Sequence, residues 1–315
     1  MSHSKRYIHI DKHIITQGET INFNLYSTNK EHTQMSLFLQ SDSMVEGNDK
    51  VRLREVENLY ICDDASANYQ HYVETHIQTI ASSPDIPTEK KAEIVYDNAT
   101  EVLDEMFKNP EALGNNKRAS NMVNGFVTIV FKDNFVIESL MKITAHDYYT
   151  HTHSINVSLY SLSLGVYLGL DEENLQILGI ASLLHDLGKS EVDYKIINKN
   201  GKLTESEFNQ MKKHPKAGYD IAIAIGIKDR RILTGIRDHH EKMDGRGYPF
   251  GIKKEKISLF ARIIGTCDVF DALTTKRSYK DEMSSFQALS IMKNQMDTHL
   301  DMKMVNSLAR MIAKK

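Results

Sequence analysis

His239-His240-Glu241-Lys242-Met243-Asp244-Gly245-Arg246-Gly247-Tyr248-Pro249 decides how the C-terminal half of this chain is read. Two adjacent imidazoles stand where a helix must stop, because Asp244-Gly245-Arg246-Gly247 follows them directly. Side chains next to each other on a helix diverge by about 100°. Both rings therefore serve one site only beside a metal cluster or at a helix end. The two glycines permit positive φ and close backbone approach to a ligand. Tyr248-Pro249 then makes a rigid, aromatic-edged loop. An ordinary turn with a surface tyrosine is the competing reading, and it loses beside His239-His240.

Upstream, His185-Asp186-Leu187-Gly188-Lys189 closes the apolar run of residues 177–184. Burying an imidazole and a carboxylate behind such a run is costly unless a cation compensates. Neutral imidazole nitrogen and carboxylate oxygen are natural ligands of a divalent metal. A carboxylate also bridges two ions, which makes Asp186 the candidate bridge. Lys189 lies one turn beyond it, where its ammonium faces the same cavity and offsets phosphate or transition-state charge. Downstream, Asp268 and Asp271 lie one turn apart on an otherwise apolar helix. Asp268 is assigned to metal, and Asp271 to a supporting or ligand-facing place. Arg277 and Lys280 follow, placed for phosphate contacts, though a solvated charged turn explains them as well. A histidine on a helix is by itself more often an ordinary core or surface residue. His3, His9, His13, His32, His71, His76, His146, His151 and His299 take that reading.

The rest of the chain sets bounds. With 315 residues it is long enough for two domains, and 26% charged residues against 41% hydrophobic is ordinary for a globular protein. A net charge of −3 supplies no general positive field for duplex nucleic acid, while a small anion needs only a local pocket. Cys62 and Cys267 do not make a disulfide framework, which points to reducing cytosol. No leader is visible after Met1, and apolar runs such as 126–131 and 221–227 fall short of the roughly 18 residues that read as a bilayer span. A soluble, cytoplasmic protein without direct membrane insertion is expected.

Residues 1–66 read as a small β-rich domain without a ligand constellation. Alternation predicts strands at 7–10, 21–26 and 51–54, with 59–61 closing the set. Turn signals lie at Gln17-Gly18, residues 27–30 and residues 46–49. Residues 67–145 read as a helical connector, suited to packing on the C-terminal domain and to dimerisation. Two of its helices are separated by Ser83-Pro84-Asp85-Ile86-Pro87, the second ends at Asn109-Pro110, and a third covers 121–143. Residues 146–315 read as helices joined by polar turns. Neither βαβ alternation nor a phosphate-binding glycine loop occurs, which excludes a doubly wound nucleotide fold.

Taken in order, these segments resemble the HD-GYP family, a branch of the HD phosphohydrolases. The residues 147–154, with His153, look like its opening motif. His185 to Lys189 matches HD-x-G-K, and His214-Pro215 with Gly218 looks like the third motif. Residues 239–251 match HHExxDGxGYPxG without a gap, and residues 268–280 are similar to the closing motif. The resemblance covers residues 147–315 and implies a mostly α protein, with an all-α HD-type domain after a connector and a small β-rich domain. It implies metal ligation by His153, His185, Asp186, His214, His239, His240 and Asp268, with Asp186 and Lys189 in catalysis. Lys189, Tyr248, Asp271, Arg277 and Lys280 would meet substrate. Some members carry a Glu four residues before the first ligand histidine, associated with a third ion. Tyr149 stands there in this chain, so two divalent ions are expected, iron first and manganese as the alternative.

The implied activity is hydrolysis of cyclic di-GMP to pGpG, with GMP as the alternative end product. The rivals are another cyclic dinucleotide such as cyclic GMP-AMP, or a nucleotide- or partner-binding module without turnover. A signalling partner would act through residues 1–66.

Overall fold

The computed structural model describes residues 6–28, 35–132, 150–275 and 283–313. The chain divides into two compact units, residues 1–91 and 92–315.

In the N-terminal unit, β1 (Tyr7–Ile10), β2 (Thr20–Ile21), β3 (Leu25–Thr28), β4 (Met35–Leu39), β5 (Ser43–Met44) and β6 (Leu59–Cys62) form two antiparallel sheets. The larger has strand order β1-β6-β3-β4, and β2 pairs with β5. Tyr7 lies opposite Cys62 and Ile10 opposite Leu59. Residues 21–26, read as one strand, are two strands in separate sheets, broken by a bend at Asn22-Phe23 that drives Phe23 into the core. Residues 51–54, read as a strand, belong instead to helix α1 (Gly47–Glu55). The reason is local: Glu46 and Asp49 form a capping box that starts the helix where a turn was expected. Four alternating residues are too few to outweigh it. Strand β4 was not foreseen, because only Phe38 of its five residues is fully buried. Helix α2 (Ser66–Ser82) buries Tyr72, Val73, Ile77 and Ile80, and Phe23 meets Tyr69 and Tyr72 edge-on.

Helix α3 (Thr88–Lys108) starts after the Pro84–Pro87 break and ends before Pro110, as the sequence predicts. The C-terminal unit continues with α4 (Asn115–Lys132), α5 (Thr150–Tyr167), α6 (Glu172–Leu183), α7 (Tyr194–Ile197) and α8 (Glu205–Met211). It is completed by α9 (His214–Ala224), α10 (Arg230–Asp238), α11 (Leu259–Thr274), α12 (Ser285–Gln295) and α13 (Met302–Ala313). The expected helix over 121–143 is seen as far as Lys132; residues 133–149, with Tyr149 and His146, lie outside the described set.

Helix α6 is the centre of this unit, packed by α4, α5 and α10, while α11 packs on α5 and α10. After a polar first turn it is mostly apolar, burying Leu175, Ile177, Leu178, Ala181 and Leu183. Such a stretch is stable only when enclosed. Each enclosed Leu or Ile contributes roughly 1.5–3 kcal/mol. Asp171 caps its start by accepting from the Asn174 amide. Its C-terminal end delivers His185 and Asp186 into the middle of the bundle.

Candidate metal centre

Seven side chains converge from five stretches of chain. His153 stands in the second turn of α5, and His185-Asp186 follow the end of α6. His214 is the first residue of α9, His239 caps the C-terminus of α10 with His240 next, and Asp268 stands on α11. The glycines explain how the segments approach so closely. A side chain on Gly188 would collide with the His214 carbonyl and the Gly218 amide, and one on Gly265 with the His239 carbonyl.

The ligand atoms fall into two adjoining groups, each within 4.8 Å: Asp186 with His214, His239 and His240, and His153 with His185 and Asp268. Asp186 connects them. Its Oδ1 is 3.2 Å from His214 Nε2, whereas its Oδ2 lies 3.5 Å from His185 Nε2 and 3.6 Å from His153 Nε2. Asp268 has Oδ1 3.1 Å from His153 Nε2 and Oδ2 3.8 Å from His240 Nδ1. Each carboxylate thus has one oxygen toward each group.

The outward nitrogens set the tautomers. Nδ1 of His185, His214 and His239 contacts the backbone carbonyls of Ser182, Met211 and Ile236 at 2.7, 2.8 and 2.6 Å. Nδ1 of His153 contacts Asp271 Oδ2 at 2.7 Å. A carbonyl or carboxylate only accepts, so each Nδ1 donates and each Nε2 presents a lone pair inward. Nε2 of His214 and of His239 are then 3.4 Å apart, lone pair toward lone pair. Among the described residues, the buried His185 Nε2 and Asp186 Oδ1 receive no hydrogen bond once the histidine Nε2 atoms carry lone pairs. Burial holds His185 and His239 neutral by pushing their pKa values below the ordinary histidine range, and that of His240 is lowered to about 3. Burial alone would raise Asp186, but Lys189, His185 and His214 hold it well below the usual carboxylate range. A buried cluster of inward lone pairs with ionised carboxylates is the donor set of a divalent cation, and it is repulsive without one. The residues fit metal.

Lys189 lies on the 3-10 turn after Asp186, with Nζ 2.5 Å from Asp186 Oδ2. The open side of the centre is marked by its more exposed members, His240 at 26%, Lys189 at 17% and Asp268 at 13%, against 0–2% for His153, His185, Asp186 and His214. Tyr248 borders that side, its ring 4.7 Å from His240 and tilted 34°. Phe208 meets Tyr248 edge-on. Asp271 is fully buried, with Oδ2 against Nδ1 of His153. Of its two expected places, the geometry supports the one behind the ligands. Arg277 and Lys280 lie outside the described residues.

Three contributors were not foreseen. Glu241 takes the Phe250 amide on Oε1 at 2.7 Å, which folds the 242–250 loop back over the end of α10. Its signal was available, since it stands directly after the two histidines. Asn156 donates to Asp271 and accepts from Tyr96, but neither residue belongs to a motif. No spacing could have revealed them.

Residues 129–304 match the family model described as HD domain. The chain is 36% identical over 171 residues to the cyclic di-GMP phosphodiesterase PA4108 of Pseudomonas aeruginosa, covering 54% of this chain and 41% of that protein. It is 42% identical over 146 residues to the cyclic di-GMP phosphodiesterase response regulator RpfG of Xanthomonas campestris, covering 45% and 38%. It is 31% identical over 243 residues to 3'3'-cGAMP-specific phosphodiesterase 3 of Vibrio cholerae, covering 74% and 51%. The chain therefore spans about half the length of these relatives or less. Among solved structures, Bd1817 of Bdellovibrio bacteriovorus, described as an HDG"Y"P protein, matches with a TM-score of 0.68 at 20% identity over 98% of this chain and 99% of that one. That likeness concerns the fold. The matched domain and the histidine-aspartate cluster together support use of divalent metal ions. Among the described residues no helix is long and apolar enough to cross a membrane.

Proposed function

Because the chain belongs to the HD domain family, in its HD-GYP branch, we propose that it is a metal-dependent phosphodiesterase that hydrolyses cyclic di-GMP. One observation supports this most: four inward-facing imidazole Nε2 atoms and two carboxylates that each reach both ligand groups. His153, His185 and Asp268 would hold one ion, and His214, His239 and His240 the other, with Asp186 between them. Two divalent ions, iron first and manganese as the alternative, would supply Lewis acidity and water activated at neutral pH.

The chain's own groups do the rest. The Nδ1 hydrogen bonds hold the rings of His153, His185, His214 and His239 with their lone pairs inward before substrate arrives, so these need no reorientation during reaction. Lys189 sits at the open edge, where its ammonium offsets negative charge building on a phosphoryl oxygen. Tyr248 offers an aromatic face for a guanine base beside His240, and Arg277 and Lys280 would bind phosphate. The buried rear wall, from His153 to Asp271, keeps bulk water to one side. The first product is linear pGpG, with GMP from a second cleavage. The connector, residues 67–145, would serve a homodimer, and the N-terminal domain, residues 1–66, a signalling partner.

Cyclic GMP-AMP is the second substrate to consider, because a relative matched over 74% of this chain is named as specific for that compound. The test is hydrolysis of both dinucleotides by anaerobically purified protein with its metals quantified, beside Asp186→Ala. Turnover of cyclic di-GMP with about two ions per chain, abolished by the substitution, is expected. Turnover of cyclic GMP-AMP alone would move the reading to that substrate. A metal-replete protein that cleaves neither would overturn it.

A further inference from the structure

We infer that Tyr96 and Asn156 are positioning residues for the metal centre, acting on His153 through Asp271. The contacts form a continuous buried chain. Tyr96 Oη lies 3.0 Å from Asn156 Oδ1, Asn156 Nδ2 lies 3.0 Å from Asp271 Oδ1, and Asp271 Oδ2 lies 2.7 Å from His153 Nδ1. Tyr96 is 8% exposed, Asn156 1% and Asp271 0%.

Chemistry fixes the direction of every bond. A carboxylate only accepts, so the Asn156 amide must turn its NH2 toward Asp271. Its carbonyl oxygen, which also only accepts, is then left facing Tyr96, whose hydroxyl must donate. Burial pushes the Tyr96 phenol up, which keeps that proton in place. Thr275 Oγ1 adds a bond of 2.9 Å to the same Asp271 oxygen that Asn156 holds. Asp271 therefore has one oxygen restrained from two sides and the other holding His153. With its Nδ1 so held, His153 presents Nε2 to Asp268 and Asp186 at 3.1 and 3.6 Å.

Tyr96 stands on α3, ahead of the segment that matches the HD domain, residues 129–304. The inner support of the centre is thus completed by a helix outside the matched domain. Partners behind a metal-ligating histidine commonly affect affinity by about 10- to 100-fold. Tyr96, two bonds further out, is expected to act more weakly than Asn156. The inference rests on the metal-centre reading of the cluster and is independent of which dinucleotide is cleaved.

The test uses the full chain, stripped of metal by chelation and titrated calorimetrically with Mn2+ alone. Tyr96→Phe keeps the ring and removes only the donor; Asn156→Leu keeps the shape and removes both contacts. We expect the Mn2+ Kd to rise roughly three- to tenfold for Tyr96→Phe and roughly ten- to hundredfold for Asn156→Leu. The double variant should be no weaker than Asn156→Leu, because the hydroxyl acts only through the amide. Thermal melting of each metal-free variant separates folding from metal affinity. Should Asn156→Leu not fold, Asn156→Asp takes its place, retaining an acceptor for Tyr96 while setting a second carboxylate against Asp271. An unchanged Kd in Tyr96→Phe, or strictly additive losses in the double variant, would reduce Tyr96 to packing. Absence of Mn2+ binding in the unmodified protein would overturn the metal centre and this inference with it. Mn2+ binding without dinucleotide hydrolysis would sink only the substrate proposal, and the affinity comparison would still decide the role of Tyr96.

Discussion

Lys189 carries the most separable charge in the centre. Its Nζ is paired with Asp186 Oδ2 yet 17% exposed, so one ammonium faces both a ligand carboxylate and the open side. Lys189→Met is expected to lower kcat roughly 100- to 1000-fold, the scale seen when one preorganised donor is removed. KM should change less, because the charge it offsets develops during reaction. Steady-state kinetics with metal content measured on the same sample checks this, and an unchanged kcat would confine Lys189 to neutralising Asp186. The candidate ligands stood out in the sequence because His185-Asp186 follows an apolar run, where burial is costly without a cation, and because His239-His240 meets a helix stop. The place of Asp271 was not. Asp268 and Asp271 are one turn apart on the same helix, and only packing decides that Asp268 faces the centre while Asp271 faces His153 and Asn156.

At the scale of elements, the centre depends on how closely α9 and the 3-10 turn of residues 187–191 approach. Gly188 lies against His214 and Gly218 with no room for a methyl group. Gly188→Ala is expected to destabilise the protein by about 1–3 kcal/mol, the usual range for overpacking. It should also weaken metal binding, because α9 carries His214. Chemical denaturation and Mn2+ titration of the variant test both halves, and an effect on stability alone would separate α9 from the site.

Helix α8 gives an element-level dependence on pH. Thr204 and Glu207 form its capping box, and the Lys199 hydrogen bond, with the Thr204 amide, holds the Glu207 carboxyl down to about 2. Since the folded value lies below the ordinary 4.5, the stabilisation is present above pH 4.5 and is lost as pH falls through about 2. The carboxyl chemical shift of Glu207 should follow that titration. A midpoint near the ordinary value would show the cap to be open in solution. The start and end of α3 were readable from Pro84, Pro87 and Pro110. The N-terminal strands were harder. A four-residue alternation at 51–54 has the same pattern in a capped helix as in a strand, and the capping box decided between them.

For the whole molecule, the buried histidines couple folding to metal. Ligands that bind only the folded state stabilise it by mass action, about 2.7 kcal/mol at one hundred times Kd. Removing metal with a chelator is expected to lower the melting temperature by several degrees, and adding Mn2+ in excess to restore it. Scanning calorimetry of chelated and refilled protein is the check. Identical curves would mean that the inward lone pairs are accommodated without a cation.

What the sequence determined by itself is local chemistry: where apolar periodicity makes helices, where caps and prolines end them, and which residue types suit a divalent ion. These are properties of neighbours along the chain, so composition and spacing carry them. What only the tertiary structure decided is which distant groups share a wall. Asp186 reaches both ligand groups because α6 ends in the middle of the bundle, between α5, α9, α10 and α11. Tyr96 of α3 meets Asn156 of α5 only in the folded chain. Such contacts join residues 60 to 118 positions apart, and no spacing along one chain encodes them. Their donors and acceptors are satisfied only when the fold closes.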